Sequence, residues 1–142
     1  KAGSKSNGTL TIGGVDPRLV DGAVQYVPDA GRGFHSVSVK SLSLGGANSS
    51  AASIDVDEAA ILDTGTNVLL LPSKLMTALQ AAMCADASLA RCTALWANKC
   101  VALSDAEVAA YPPLALQLDA GVSLLMSSAD YLLRGSPLAT QP

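Results

Sequence analysis

Residues 34–44 carry the longest alternation of apolar and polar positions in the chain. Val37 and Val39 fall on one face, and Leu42 and Leu44 also alternate but in the opposite phase. Such alternation predicts a strand with one buried face. The slip at Lys40-Ser41 predicts a bulge or bend within it. Residues 53–56 and 59–62 predict two strands flanking a turn at Asp57-Glu58. Residues 68–71 are continuously apolar, as expected of a strand buried on both faces. Nearer the start, residues 8–12 alternate around Leu10 and Ile12 and meet Gly13-Gly14, which predicts a short strand ending in a turn. Residues 24–27, closed by Pro28, predict another. Asp16-Pro17 and Asp21-Gly22 are turn signals. Residues 1–7 read as a flexible lead-in and residues 45–53 as a polar loop.

After Pro72 the period changes. Leu75, Leu79 and Ala82-Met83 recur at helical spacing behind Ser73, a fitting N-cap, and predict the one clear short helix. Ser104-x-x-Glu107 is a capping-box pattern opening a helical turn that Tyr111-Pro112-Pro113 ends. Leu114, Leu116 and Leu118 alternate, Asp119-Ala120-Gly121 turns, and residues 122–126 return, which predicts a hairpin. The whole reads as a mostly-β lobe without internal repeats.

Composition narrows the function. The 142 residues suit one domain, and with 49% apolar and 15% charged residues a core can form. Aromatic residues are scarce, so Val, Ile, Leu and Ala must build that core. The net charge is -3, and no Lys/Arg cluster exists to neutralise phosphates, which argues against a nucleic-acid partner. No apolar run approaches the roughly 18 residues of a membrane span. Cys84, Cys92 and Cys100 stand eight apart, too far for a metal knuckle, and His35 is distant, so no metal is expected. Sequons at Asn7-Gly8-Thr9 and Asn48-Ser49-Ser50, with the clustered cysteines, lean towards an oxidising secretory route.

The chemistry lies in Ala60-Ile61-Leu62-Asp63-Thr64-Gly65-Thr66-Asn67-Val68-Leu69-Leu70-Leu71-Pro72. An acidic side chain sits in a tight turn between two apolar strands. Gly65 supplies backbone freedom and allows close approach. Thr64 and Thr66 bring hydroxyls within reach of the carboxylate. A carboxylate between buried strands is costly unless hydrogen bonds satisfy it, so a chain that keeps one there has a use for it. The plainer alternative is a capped turn, since Asp-x-Gly is ordinary turn chemistry. His35, the only His, has no triad or metal context and reads as a surface or interface residue. Trp96 reads as packing for the cysteine loop.

The segment resembles the second active-site loop of pepsin-like aspartic proteases, and other segments agree in order. Gly8-Thr9-Leu10-Thr11-Ile12-Gly13-Gly14-Val15-Asp16 is similar to the opening of that family's C-terminal lobe. Gln25-Tyr26-Val27-Pro28 is similar to its next strand, and Phe34-His35-Ser36-Val37-Ser38-Val39 with Leu42-Ser43-Leu44-Gly45-Gly46 to the strand pair before the catalytic Asp. Tyr111-Pro112-Pro113-Leu114 and Ala129-Asp130-Tyr131-Leu132-Leu133 match later strands. The resemblance covers residues 8–133 and implies a partial C-terminal lobe of the double-β-barrel fold, with residues 134–142 a tail or truncation point.

It also implies hydrolysis of internal peptide bonds by two aspartates sharing a water and one proton. Asp63 would be one of them, supported by Thr64, Gly65 and Thr66. Thr64 would hydrogen-bond across the lobe interface, and Thr66 would hold the carboxylate. Gly65, Thr66 and Asn67 would contact substrate, Asn67 standing where Ser is commoner. Ile61 and Tyr26 would line the primed side of the cleft, core packing being the alternative for both. The implied partners are the N-terminal lobe of the same protein and a peptide or protein substrate, with no cofactor. Cys84 is expected to pair with Cys92, and Cys100 with a residue outside the chain; a Cys92–Cys100 pairing stays open. A secreted or vacuolar/lysosomal-type location follows.

Only one Asp-Thr-Gly occurs, and the family's flap Tyr and closing Gly-Asp segment do not. The expectation is a fragment that is inactive by itself. Two other readings compete. One is a pepsin-like binding or inhibitory protein that has lost catalysis. The other is a retroviral-type protease pairing two identical chains, against which stand the long lead before Asp63 and the helix after Pro72.

Overall fold

In the computed structural model, which describes residues 9–31, 33–46, 52–66, 68–97 and 99–134, the longest alternating stretch forms β1 (Ser36–Leu44). The lead-in, both sequon asparagines, Asn67 and residues 135–142 of the tail lie outside the described residues. β1 is joined by β2 (Ser53–Ile61), β3 (Leu114–Leu118) and β4 (Ser123–Met126) in one antiparallel sheet of order β2-β1-β3-β4. The register shifts between Val39 and Ser41 in both of β1's ladders. Against β2, Val39 pairs with Glu58 and Ser41 with Asp55, so there Val56 and Asp57 oppose Lys40 and β2 holds the extra residue. Against β3, Val39 pairs with Leu118 while Ser41 pairs with Gln117, so Lys40 is an extra residue on β1, the expected bulge. The extra residue cancels the change of phase. Val37, Val39, Leu42 and Leu44 all reach the face that carries Leu114, Leu116 and Leu118, and all four are buried.

That face holds two apolar clusters. Leu42, Leu44 and Leu114 pack with Leu79, Met83, Leu89, Cys92 and Tyr111, and Val37, Val39 and Leu118 form the smaller group. Val56 and Leu116 pack against both, which makes the core continuous. The predicted helix is α1 (Ser73–Cys84), and it lays Leu79 and Met83 onto the sheet. Its N-cap is Pro72 rather than Ser73, and no side chain caps it. The proline ring presets the backbone entering the helix, and Ser73 is left as the first helical residue, its carbonyl accepting from the Thr77 hydroxyl at 2.9 Å.

Three short helices follow: α2 (Cys92–Trp96), α3 (Asp105–Ala110) and α4 (Ser128–Tyr131). α3 opens with the predicted capping box. The Glu107 N–H donates to the Ser104 hydroxyl at 3.2 Å, and the Ser104 N–H donates to the Glu107 carboxylate at 2.7 Å. Ser127 and Asp130 repeat the arrangement at α4, where the Ser127 N–H donates to Asp130 at 2.7 Å. The hairpin also forms as expected, β3 and β4 joined by a 3-10 turn at Asp119–Gly121. A disulfide joins Cys84 to Cys92, tying the end of α1 to the start of α2, and Cys100 is a free, exposed thiol. The Tyr111 hydroxyl donates to the Ala90 carbonyl at 2.6 Å and holds this loop against the end of α3. Trp96 packs partly buried on the larger cluster.

Four sequence expectations are corrected. Asp57-Glu58 is no turn: β2 runs through it as one strand, with Asp57 at a φ of 45° opposite the bulge. Residues 9–12 and 24–27 enter no ladder, and Leu10 and Tyr26 are 85% and 81% exposed. Residues 68–71 form no strand either, and Leu70 is 78% exposed. A strand needs a neighbour for its N–H and C=O groups, and among the described residues no strand runs beside these segments. Only the Asp16-Pro17 signal in this early region becomes regular structure, a 3-10 turn at Pro17–Leu19 with Asp16 accepting the Arg18 N–H at 3.0 Å. Among the described residues no helix is long and apolar enough to cross a membrane.

Leu42 is 0% exposed at the centre of the sheet. Leu42→Ala leaves a cavity under α1 and is expected to cost about 3 kcal/mol, read as a lower midpoint in urea unfolding with an unchanged slope.

Candidate active site

The last rung between β1 and β2 lies just past the strand ends, where the Leu62 N–H donates to the His35 carbonyl at 2.9 Å. The next residue is Asp63, which leaves the sheet in a tight turn. The turn closes as the Thr66 N–H donates to the Asp63 carbonyl at 3.3 Å. The same residues then satisfy the side chain. The Gly65 N–H donates to Asp63 Oδ1 at 2.8 Å, and the Thr66 hydroxyl donates to Oδ2 at 2.6 Å. Each carboxylate oxygen thus has its own donor, supplied two and three residues further along the chain.

At Gly65 the constraint is close contact rather than backbone freedom. Its φ is not positive, and an added Cβ would stand 3.2 Å from Asp63 Oδ1, in the space the N–H···O contact uses. Of the two threonines, it is Thr66 that reaches the carboxylate. Charge-assisted bonds of this kind favour the ionised form. The Thr66 hydroxyl, followed by the Gly65 N–H, holds the Asp63 carboxyl below the usual carboxylate range. Asp63 is therefore an anion at neutral and mildly acidic pH.

The expected burial of this carboxylate is corrected. Asp63, Thr64, Gly65 and Thr66 are all exposed, and the local donors, not a surrounding core, satisfy the charge. Apolar side chains flank it: Ile61, Leu62, Val68, Leu69 and Leu70 are all exposed. Ile61 lies two residues before Asp63. Tyr26 lies in an exposed irregular segment, and neither Ile61 nor Tyr26 belongs to the core clusters. Asn67 lies outside the described residues. Sequence reasoning set His35 aside for its side chain, yet its carbonyl anchors the rung before Asp63; main-chain roles leave no mark on residue type. Asp29 was also missed. Its Oδ1 accepts from the Gly31 N–H at 2.9 Å and the Ser36 hydroxyl at 3.0 Å, which ties the loop before β1 to the strand's first residue.

A family model described as eukaryotic aspartyl protease matches residues 1–136. Rhizopuspepsin-1 of Rhizopus niveus is 46% identical over 74 residues, which cover 49% of this chain and 18% of that protein. The chain therefore matches only a minor part of its relative's length. No solved structure matches it.

If Thr66 sets the proton affinity of Asp63, Thr66→Val will raise the Asp63 pKa towards the free value of about 3.9. Carboxyl-carbon NMR titration of both proteins measures this directly, and an unchanged pKa would show that the hydroxyl contributes nothing.

Proposed function

Because this chain belongs to the eukaryotic aspartyl protease family, we propose that it supplies one of the two aspartates of an aspartic endopeptidase, and that Asp63 is that aspartate. The observation that carries the reading is the Asp63 turn, in which Gly65 of the chain's single Asp-Thr-Gly holds one carboxylate oxygen and Thr66, the next residue, holds the other. In proteases of this class two carboxyls share a water and one proton, because like charges so close cannot both ionise. Asp63 is already biased to the anion. It therefore suits the base that takes a proton from the attacking water, while the partner carboxyl keeps its proton and acts as the acid.

The partner aspartate comes from the N-terminal lobe of the same protein. The exposed apolar residues beside Asp63 favour such a neighbour, since Ile61, Leu62 and Leu70 otherwise face water. Thr64 hydrogen-bonds across that interface. Gly65, Thr66 and Asn67 contact the backbone of a peptide or protein substrate, and Ile61 and Tyr26 line the cleft on its primed side. The Cys84–Cys92 disulfide supports a secretory compartment, secreted or vacuolar, where such bonds persist.

In the full-length protein, Asp63→Asn is expected to lower kcat by about 10⁴-fold or more with little change in substrate binding. Retained activity would refute the assignment. The 142-residue chain by itself is expected to show no pepstatin-sensitive cleavage at acid pH. Cleavage by it would mean that a second copy supplies the partner aspartate.

A further inference from the structure

We propose that Lys40 is a positioning residue for Asp63, its ammonium fixing the register in which β2 delivers that aspartate. The inference rests on the catalytic reading of Asp63 given above. Lys40 is the extra residue of β1 against β3, and against β2 it stands opposite Val56 and Asp57, where β2 holds one residue more than β1. Its Nζ donates to Asp57 Oδ1 on β2 at 3.0 Å and lies 3.4 Å from Asp119 Oδ1, at the turn between β3 and β4. One cation thus links β1 to the strands on both sides of it at the point where the ladders change register.

Asp57 supplies the reason such a link is needed. It holds a φ of 45° inside a strand, a conformation that residues with a side chain rarely adopt and that persists only when its surroundings impose it. The hydrogen bond from Lys40 is the contact that its side chain makes at this site. Beyond Asp57, β2 pairs Glu58 with Val39, Ala60 with Val37 and Ile61 with Ser36, and the rung from Leu62 to His35 follows. Were Asp57 to relax to an extended conformation, this half of β2 would slip by one residue against β1. A one-residue slip turns every side chain of the segment to the opposite face, and Asp63 follows directly on that segment.

The side chains of Lys40, Asp57 and Asp119 are 47%, 81% and 35% exposed. Ion pairs this open contribute little to stability. Their effect is therefore on the choice between two registers of similar energy, and its signature is a loss of function larger than the loss of stability.

The test compares Lys40→Met, Lys40→Arg and Lys40→Met with Asp57→Gly in the full-length protein, with Asp63→Asn alongside. Lys40→Met is expected to lower kcat by about twofold to fivefold, the most that ion pairs this open can shift a register equilibrium, while the unfolding midpoint barely moves. Hydrogen exchange at the Leu62 amide speeds up in the same variant. Lys40→Arg keeps wild-type values, because it restores both charge and donors. Adding Asp57→Gly to Lys40→Met restores kcat, because glycine takes a positive φ unaided. Wild-type kcat and Leu62 exchange in Lys40→Met would overturn the proposal, as would a loss that Asp57→Gly does not repair. If Lys40→Met fails to fold, the double variant decides: a folded, active protein supports the proposal and an unfolded one overturns it. Activity retained in Asp63→Asn would sink the catalytic reading instead, and the Leu62 exchange rates would still report on register.

Discussion

A strand whose apolar residues change phase halfway can face a single core only if its backbone absorbs one residue, and β1 does so at Lys40. Without the bulge, either Val37 and Val39 or Leu42 and Leu44 would point away from α1. With it, one sheet face carries both clusters, and Val56 and Leu116 join them. β2 answers with an extra residue of its own, Val56 and Asp57 together facing Lys40, and this second irregularity determines where β2 ends. That end is where the chain turns through Asp63.

The candidate site combines a local and a non-local ingredient. The proton affinity of Asp63 is set within four residues, by one backbone N–H and one hydroxyl. Its place in the molecule is set by the ladder from Ser36–Ile61 back through the bulge, and by the rung between His35 and Leu62. The turn makes the carboxylate an anion, and the sheet decides what that anion meets.

This division explains what could be read from the residues. The phase slip, α1, the Ser104-Glu107 box, the β3–β4 hairpin and the Cys84–Cys92 pair were legible because each is written over a short span. The strands expected at residues 8–12, 24–27 and 68–71 were not realised. Alternation and apolar runs tell which face a strand would bury but not whether a neighbour exists to pair with it. Asp57-Glu58 looked like a turn because Asp is a common turn residue and two polar positions interrupt the apolar pattern; the positive φ of Asp57 is instead accommodated inside a continuous strand. Residue types alone offered both threonines as donors; the resemblance assigned the carboxylate to Thr66, and it is the Thr66 hydroxyl that reaches it. The chain's place in the aspartyl protease family was legible from the order of its motifs, and the family match over residues 1–136 agrees with it.

The pattern of short-range donors reaches beyond the site. Asp16, Asp29, Asp63, Asp86, Glu107 and Asp130 make up six of the 12 acidic residues, and all six sit below their ordinary range. The leading causes are the Arg18 side chain, the Gly31 N–H, the hydroxyls of Thr66 and Ser88, the Ser104 N–H and the Ser127 hydroxyl, in that order. A carboxyl lowered by folding adds stability above its unfolded pKa and loses it only as the pH falls through the lower folded value. Half of the acidic side chains therefore keep their negative charge into more acidic solution than free carboxyls would. They go on offsetting the nine Lys and Arg residues there, and the mutual repulsion of unbalanced cations begins later. Contacts spanning only two or three residues in this way carry the charge balance of the chain a little further into acid than its composition alone would.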